Sequence, residues 1–392
     1  MSAERRLTGI RLPLVTLTPL FLGGADPRGD PELRAASVRG ALRFWLRALL
    51  GGCYGTDQAA LREIRRLEAE TFGEAGGEGK LGASKVIVRV RVEASPRSGQ
   101  GPVTTVIPWQ ASRDSGRGYL FFSMDSTRVR GQEFPARSYY PPPLPFVVEL
   151  SPRPGVDERA ARDALYRTVR AAWLLLHLGG IGARSRRLGG ALAHQPMSRR
   201  TPDGQVVATV PSYLNLPFAL PPVPAEAAKR LGDGLTDLRG RLRARPDANP
   251  ERPAWEVLDP RWCRIWVFGE RDWTSSESGW QAAAETIGSW LRETRRAFST
   301  EQRLVFGAPL VIPQRRESVT PPTPYERVDR RPSPLWLTVT RAENGQLLGV
   351  ATLFATHLFP RRQGSDERLE PLYDRIAQEL AKLPNVAEVS YE

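Results

Sequence analysis

The chain has 392 residues, of which 41% are hydrophobic and 25% are charged, and these ordinary globular proportions exclude wholesale disorder. This length exceeds what one hydrophobic core usually supports, so we predict two domains, residues 1–200 and residues 201–392. The formal net charge is +13, and Cys53 and Cys263 alone are too few for a disulfide scaffold or a thiolate zinc site.

Extended and helical patterns follow one another in the first half of the chain. Residues 7–20 are typical of a strand, and neither a signal-peptide pattern nor a membrane-length apolar run is present, so we predict a cytoplasmic protein without a membrane partner. Ser37 is a favourable N-cap for a helix whose apolar residues recur at helical spacing up to Gly51 and Gly52. The patterns that follow predict a helix at 58–72, strands at 85–93, 119–124 and 145–150, and a helix at 157–178.

The second half contains proline-rich breaks, but its elements are recognisable. A helix is predicted at 279–298, a strand at 303–312, a hairpin of 335–340 with 347–354 across Asn344-Gly345, and a helix at 366–383. The order of elements predicts an α+β protein made of two ferredoxin-like domains, similar to RNA-recognition motifs. Each would have helices on one face of an antiparallel sheet, with long insertions.

The positive charge is confined to the first half. Residues 1–200 hold 31 Lys and Arg against 18 Asp and Glu, whereas residues 201–392 hold 25 of each sign. Such a local excess indicates a polyanionic partner such as a nucleic acid, although a merely soluble basic surface would have the same composition. Of the 56 basic residues 52 are arginines, a bias that phosphate binding, GC-rich codon usage and growth at high temperature can each produce.

The helix that follows Ser37 carries Arg39, Arg43 and Arg47 at intervals of four, which places them in one stripe opposite the apolar face. Arginines near a helix start oppose the helix dipole unless an anion is bound there.

These arginines, together with Arg34, the Ser37 hydroxyl and the open amides, form a candidate phosphate site that Gly40 allows a ligand to approach. The alternative is a solvated face balanced by Asp26, Asp30 or Glu32.

A second candidate site is the glycine-rich segment 179–190. Gly182 permits unusual backbone angles, and Arg184, Arg186 and Arg187 supply charge. The segment lacks the Gly-Lys-Ser/Thr ending of a Walker loop and follows a helix, unlike a Rossmann turn. The alternative is a helix C-cap followed by a basic surface loop.

Catalytic chemistry has little support in the sequence. The three histidines, His177, His194 and His357, are more simply explained as packed residues than as acid-base groups. No metal-ligand spacing is present, so we predict no metal, no cofactor and no catalytic residue.

Two segments carry a resemblance to a known family. Residues 17–25 (LTPLFLGGA) and 32–45 (ELRAASVRGALRFW) resemble the first subunit of the Cmr effector complex of type III-B CRISPR systems, within the RAMP superfamily of RNA-binding proteins. The segments 179–190, 306–310 and 330–335 are similar to further landmarks of that family.

The resemblance implies a non-catalytic subunit that contacts guide RNA (crRNA) and target RNA at the end distal to the guide 5′ tag and aids target capture in antiviral defence. Its neighbours would be the backbone RAMP subunit and the other distal-end RAMP subunit. The implied RNA-facing residues are Arg34, Ser37, Arg39, Arg43 and Arg47, followed by Gly182, Arg184, Arg186 and Arg187. Related loops often have Gly-Phe after the double arginine, where this chain has Leu188-Gly189, which puts a base-stacking aromatic at that point in doubt.

Two other classes of function remain open. A metal-independent RAMP endoribonuclease that processes guide precursors would commonly place a histidine or tyrosine near the first helix, and residues 37–50 contain neither. A scaffold that contacts only proteins would leave the one-sided charge without an explanation.

Overall fold

The computed structural model of the protein describes residues 9–26, 29–74, 82–92, 107–112, 114–129, 132–195, 197–200, 206–209, 212–245, 247–300, 302–307, 310–312, 317–319, 331–357 and 371–392. These residues form an α+β structure with two four-stranded antiparallel sheets, as predicted. Parts of the predicted segments 7–20, 85–93, 303–312, 306–310, 330–335 and 366–383 lie outside the described residues.

The first half of the chain forms one of the two sheets and the helices that cover it. Its elements, in chain order, are β1 (Ile10–Thr16), α1 (Ala35–Tyr54), α2 (Gln58–Phe72), β2 (Val86–Val92), β3 (Ile107–Pro108), α3 (Gly116–Phe121), β4 (Thr127–Val129), β5 (Gln132–Phe134), β6 (Ser138–Tyr139), β7 (Pro145–Pro152), α4 (Glu158–Leu178) and β8 (Leu192–His194).

The first sheet has the strand order β2-β7-β1-β8, and every neighbouring pair is antiparallel. Alternation along β1 directs Leu12 and Leu14 into the core, where Val148 of β7 lies opposite Leu12. Helices α1 and α4 pack against this sheet through the same core. The opposite face carries charge along β2 and β7, with Arg91 Nη2 3.4 Å from Glu149 Oε2, whereas Val15 of β1 on the same face is buried in another core.

The second half of the chain contributes the other sheet. Its elements are β9 (Met197–Arg200), β10 (Val206–Thr209), β11 (Ser212–Tyr213), β12 (Leu216–Pro217), α5 (Pro224–Arg241), β13 (Cys263–Phe268), α6 (Glu277–Arg296), β14 (Leu310–Ile312), β15 (Glu317–Val319), β16 (Leu335–Arg341), β17 (Leu347–Phe354), α7 (Leu372–Leu380) and β18 (Ala387–Glu388).

The second sheet, in the order β16-β17-β13-β18, is buried on both faces. On one face Ile265 and Val350 join the core that contains α4 and α5, and on the other Trp266 and Leu353 join the core that contains α6 and α7. Because neither face of β17 contacts water, its sequence is a nearly continuous apolar run.

Helix α4 lies between the two sheets and contacts β7 and β8 of the first and β16 and β17 of the second. Residues 171–178 of this helix are all buried. Helix α1 also reaches the second sheet, since the Trp45 ring centroid lies 5.2 Å from that of Trp336. Residues of both halves therefore pack into the same cores, and the domain division at residue 200 stays a prediction.

Two predicted strands are helical in the structure. Residues 119–124 belong to α3 and a 3-10 turn at Phe122–Met124, and a 3-10 helix at Gln302–Phe306 replaces the start of the predicted strand 303–312. Ser115 Oγ accepts a hydrogen bond from Gly118 N (2.9 Å) and caps α3. Gly116 and Gly288 let α3 pack closely on α6, because a Cβ on Gly288 would lie 2.0 Å from the Gly116 carbonyl oxygen. Tertiary packing thus overrode the local strand pattern.

The helices predicted at 37–50, 58–72, 157–178 and 279–298 are confirmed, as are the strand at 145–150 and the hairpin of 335–340 with 347–354. In the part of the chain that the structure describes, none of the helices has both the length and the apolar character needed to cross a bilayer.

Candidate nucleic-acid interface

Helix α1 begins at Ala35, three residues before the start that an N-cap at Ser37 would give. Arg34 is the N-cap, with extended backbone (φ −110°, ψ 145°), and its carbonyl accepts a hydrogen bond from Ser37 N (3.1 Å). The prediction of Ser37 as N-cap is wrong because Ala35 and Ala36 are strong helix formers that extend the helix toward its start. No described side chain caps this end, and the first turn has no acidic residue, so the amides of Ala35 and Ala36, which precede the first bonded amide, are open to an anion.

The arginine stripe lies opposite the core, as the helical spacing predicted. Arg39 and Arg47 are exposed, and Arg43 is half-buried. The apolar residues of the other face are each at most 1% exposed: Leu42, Trp45, Leu46 and Leu49.

The first half of α1 forms one wall of an open cleft of about 480 Å³. Arg39, Gly40 and Arg43 line this wall, and Gly73 and Arg153 lie among the residues that line the rest of the cleft. A Cβ on Gly40 would meet no atom within 4 Å, so the helix backbone is accessible from the cleft. The cleft therefore brings together two of the predicted arginines and one that the sequence analysis missed.

Arg153 follows β7 directly and turns back toward the start of β2. It donates through Nε to the Ser84 carbonyl (2.5 Å) and through Nη2 to Ser84 Oγ (3.1 Å). These two bonds fix the guanidinium at the cleft. The position of Arg153 depends on the pairing of β7 with β2, which brings residues about 70 positions apart into contact. No local sequence pattern predicts this long-range pairing.

One carboxylate holds two arginines of the stripe. Glu68 Oε1 lies 3.7 Å from Arg43 Nε, and Glu68 Oε2 lies 3.8 Å from Arg47 Nη1. Arg43 Nη2 also donates to the Gly73 carbonyl, and its guanidinium lies 6.0 Å from the Phe72 ring centroid. Both ion pairs are longer than a hydrogen bond and partly exposed, so each contributes little to stability.

Arg39 and Arg34 differ in the hydrogen bonds and ion pairs that they form within the protein. Arg39 is exposed and forms no hydrogen bond or ion pair with any described residue. Arg34 Nη2 donates to the Gly23 carbonyl (2.8 Å), and its Nε lies 3.8 Å from Glu32 Oε2. Arg39 is thus the best-placed member of the stripe to receive an anionic ligand.

The glycine-rich segment connects the two halves of the protein. Gly182 has φ +83°, and a Cβ there would lie 2.2 Å from the Phe21 carbonyl oxygen. The close approach that this glycine permits is therefore to the chain's own backbone. Leu188 N donates to the Leu337 carbonyl (2.8 Å), which ties the segment to the second sheet.

Arg184 is largely enclosed and makes its contacts within the protein. Its Nε donates to the Leu120 carbonyl (2.7 Å), and burial, followed by the nearby Arg295, lowers its pKa to about 10.

Arg187 is 7% exposed and donates through Nη1 to the carbonyls of Arg186 (2.9 Å) and Leu335 (2.8 Å). Burial, with Arg184 next in effect, lowers its pKa well below the usual value.

Arg186 lies between aromatic rings, with its guanidinium 5.6 Å from the Phe44 centroid and 4.5 Å from the Trp336 centroid. Its Nη1 donates to Glu256 Oε1 (2.6 Å), and burial lowers its pKa despite that carboxylate. In this arrangement Arg186 and Arg187 bind residues of the second half, whereas Gly182 and Arg184 contact residues of the first. The role of these four residues as direct RNA ligands stays a prediction and is not part of the cleft proposal below.

Two of the three histidines considered for acid-base chemistry, His177 and His194, are buried. His177 is 1% exposed, with Nδ1 3.0 Å from Thr340 Oγ1 and Nε2 3.3 Å from the Pro217 carbonyl. Burial lowers the pKa of His177 and of His194 to about 4, so both rings are neutral at pH 7. Within the described ranges no three His, Cys, Asp or Glu side chains are grouped as metal ligands.

Comparison with known proteins shows the family to which this chain belongs. The sequence model of the RAMP superfamily matches residues 14–192, which contain α1, the cleft and the glycine-rich segment. CRISPR system Cmr subunit Cmr1-2 of Pyrococcus furiosus is 35% identical over 193 residues, which covers 46% of this chain and 92% of that relative. The chain belongs to the RAMP superfamily and, within it, to the family of the Cmr1 subunits.

Two solved structures share the fold. The crystal structure of Cmr1 from Pyrococcus furiosus in its apo form superposes with a TM-score of 0.57 at 21% identity, covering 97% of this chain and 98% of that one. A chain of the cryo-EM structure of the type III-B Cmr-beta bound to cognate target RNA has a TM-score of 0.53 at 11% identity, covering 95% and 99%. The similarity therefore extends over both halves of the protein.

Proposed function

We propose that this chain is a non-catalytic RNA-binding subunit of a type III-B CRISPR Cmr ribonucleoprotein in the cytoplasm. It would contact guide RNA and target RNA at the end distal to the guide 5′ tag and aid target capture. Its protein neighbours would be the backbone RAMP subunit and the other distal-end RAMP subunit. The family supports the assembly, and the cleft beside α1 supports the RNA contact.

The observation that carries the RNA contact is the chemistry of this cleft. Arg39 has no described partner, Arg43 lies beside it, and Gly40 opens the helix backbone to a ligand. The uncapped first-turn amides add hydrogen-bond donors and the positive end of the helix dipole. A phosphodiester group fits such donors, and phosphate contacts position a strand without reading its bases. Base pairing with the guide would then supply the sequence specificity.

We also propose that each sheet, with its helices, is a ferredoxin-like domain, one in residues 1–200 and one in residues 201–392. The support is the shared topology. In each sheet the first strand lies between the third and the fourth, and the second strand lies at the edge next to the third.

The non-catalytic assignment is supported by the state of the histidines. A general base must reach its substrate and titrate near the working pH, whereas His177 and His194 are buried with pKa values of about 4. The alternative, a metal-independent endoribonuclease that processes guide precursors, requires acid-base groups elsewhere on the surface.

Photo-crosslinking of the purified full chain to single-stranded repeat RNA tests both parts of the proposal. We expect crosslinked peptides from the first turns of α1 and from the segment around Arg153, and we expect the RNA to remain intact. Crosslinks confined to other surfaces would contradict the cleft assignment. Specific cleavage of the repeat RNA by the purified chain would establish the enzymatic alternative.

Replacing the carboxylate that competes for the arginines should strengthen binding. We expect Glu68→Gln to raise the affinity for single-stranded RNA about fivefold, because Arg43 and Arg47 lose an anionic partner whose contribution is about 0.5 kcal/mol per pair. Fluorescence anisotropy at several salt concentrations measures the change.

The matched control for this prediction is Glu63→Gln, which removes an equal charge from α2 but takes away one of the two carboxylates paired with Arg66 instead. An affinity that rises equally in both variants would show that only the overall charge matters.

A further inference from the structure

A solvent-exposed aromatic ring lies at the end of α3. Phe122 is 56% exposed, and in the part of the chain that the structure describes it is the only aromatic among the exposed large apolar residues. Single exposed apolar side chains are common on protein surfaces. Whether Phe122 has a functional role therefore depends on the residues around it.

A cation from the glycine-rich segment lies against this ring. The Arg184 guanidinium is 5.2 Å from the Phe122 ring centroid, and its Nε bond to the Leu120 carbonyl holds it there. Arg184 itself adopts a left-handed backbone (φ +63°), which the closely packed loop maintains. One side of the ring is thus engaged by a fixed cation, while more than half of the residue remains open to solvent.

The arginines next to this ring, Arg184 and its neighbour Arg295, have no acidic partner among the described residues. Arg295 of α6 lies 6.0 Å from the Tyr119 centroid and 5.7 Å from that of Phe306, and Arg187 Nη2 donates to the Phe306 carbonyl (3.4 Å). No carboxylate among the described residues forms an ion pair with Arg184, Arg187 or Arg295. In addition, the buried Nε of Arg295 has no hydrogen-bond partner among them.

An exposed ring on an uncompensated basic cluster fits a nucleic acid better than an apolar protein segment. A base stacks on the ring and its flanking phosphates neutralise the arginines, whereas an apolar segment would leave their charge unbalanced. We propose that Phe122 stacks on a base of single-stranded RNA, with Arg184 and Arg295 supplying the positive field for the adjoining phosphates.

This inference rests on the proposed function and adds a second RNA contact to it. The contact joins residues from the insertion between β2 and β7, the glycine-rich segment and α6. It also supplies an aromatic beside the loop where Leu188 is fully buried and unable to stack.

The test uses the full chain and a short single-stranded RNA that carries a fluorescent adenine analogue whose emission falls on stacking. With the analogue placed at each position in turn, we expect quenching at one or two positions in the wild-type complex and none in Phe122→Ala. We expect Phe122→Ala to lower RNA affinity about tenfold without changing its salt dependence, since a stacking contact and not a phosphate contact is lost. Phe122→Trp should restore both affinity and quenching.

The control is Val223→Ala, which shortens another exposed apolar residue (49% exposed) and should leave affinity and quenching unchanged. If the wild-type chain binds RNA but Phe122→Ala binds and quenches equally well, the stacking contact is refuted while the proposed function stands. If the wild-type chain shows no RNA affinity, both are refuted.

Discussion

The double variant Arg39→Glu with Arg43→Glu is expected to bind single-stranded RNA about a hundredfold more weakly than the wild-type chain. Both residues line the cleft beside α1, and Arg39 has no described partner that would take up its charge. The plot of log K against log salt has a negative slope, and each lost phosphate contact makes it shallower by about 0.7 for a single strand. The magnitude of the slope should therefore decrease by about 1.4. Anisotropy titrations at several salt concentrations give both quantities.

The control for this pair is Lys229→Glu with Arg230→Glu on α5. Both residues are exposed, and the change in net charge is identical. We expect only a small loss of affinity there, because the field of the whole protein changes while no phosphate contact is lost. Equal losses in the two variants, or an unchanged affinity in a folded Arg39/Arg43 variant, would remove the basis for the cleft as an RNA site.

Gly182→Ala is expected to lower the free energy of unfolding by about 3 kcal/mol. The position has φ +83°, a left-handed conformation that costs an alanine about 1 kcal/mol or more. A Cβ there would also lie 2.2 Å from the Phe21 carbonyl oxygen, so the backbone at Phe21 and the glycine-rich segment must separate, which adds about 2 kcal/mol. Chemical denaturation followed by tryptophan fluorescence measures the change.

Gly155→Ala separates the two contributions. Gly155 has nearly the same backbone conformation (φ +80°), but a Cβ there would meet no atom within 4 Å. Its loss of stability should therefore be about 1 kcal/mol, the backbone cost alone. Equal effects at both glycines would mean that the glycine-rich segment moves away from the Phe21 backbone at little cost.

The face of α1 that carries the arginines was predictable because it depends on local geometry. Arg39, Arg43 and Arg47 follow a spacing of four, and the helical period alone places them opposite Leu42 and Leu46. The start of the helix was less predictable, since Ser37 competes with two preceding alanines whose propensity extends the helix. Helix propensity and capping preference point to different starts there.

The partners of the glycine-rich segment were not predictable in the same way. Its sequence suits a phosphate-binding loop and a structural joint equally, because glycines and arginines serve both. The difference lies in residues far along the chain: Arg184 donates to Leu120, Arg186 to Glu256 and Arg187 to Leu335, at separations of 64, 70 and 148 residues. Whether an arginine binds a ligand or its own protein depends on which carbonyl or carboxylate packing brings to it.

Amino-acid order was enough to establish the α+β class, most helix positions, the basic first half and the solvent-facing arginines, since each arises from composition or from a period of a few residues. Packing between distant segments determined the rest. It made α3 helical against α6, enclosed the loop arginines, brought Arg153 to the cleft and left Phe122 exposed beside Arg184. Such contacts join residues that no short-range pattern relates, and so they are established only when the chain is folded.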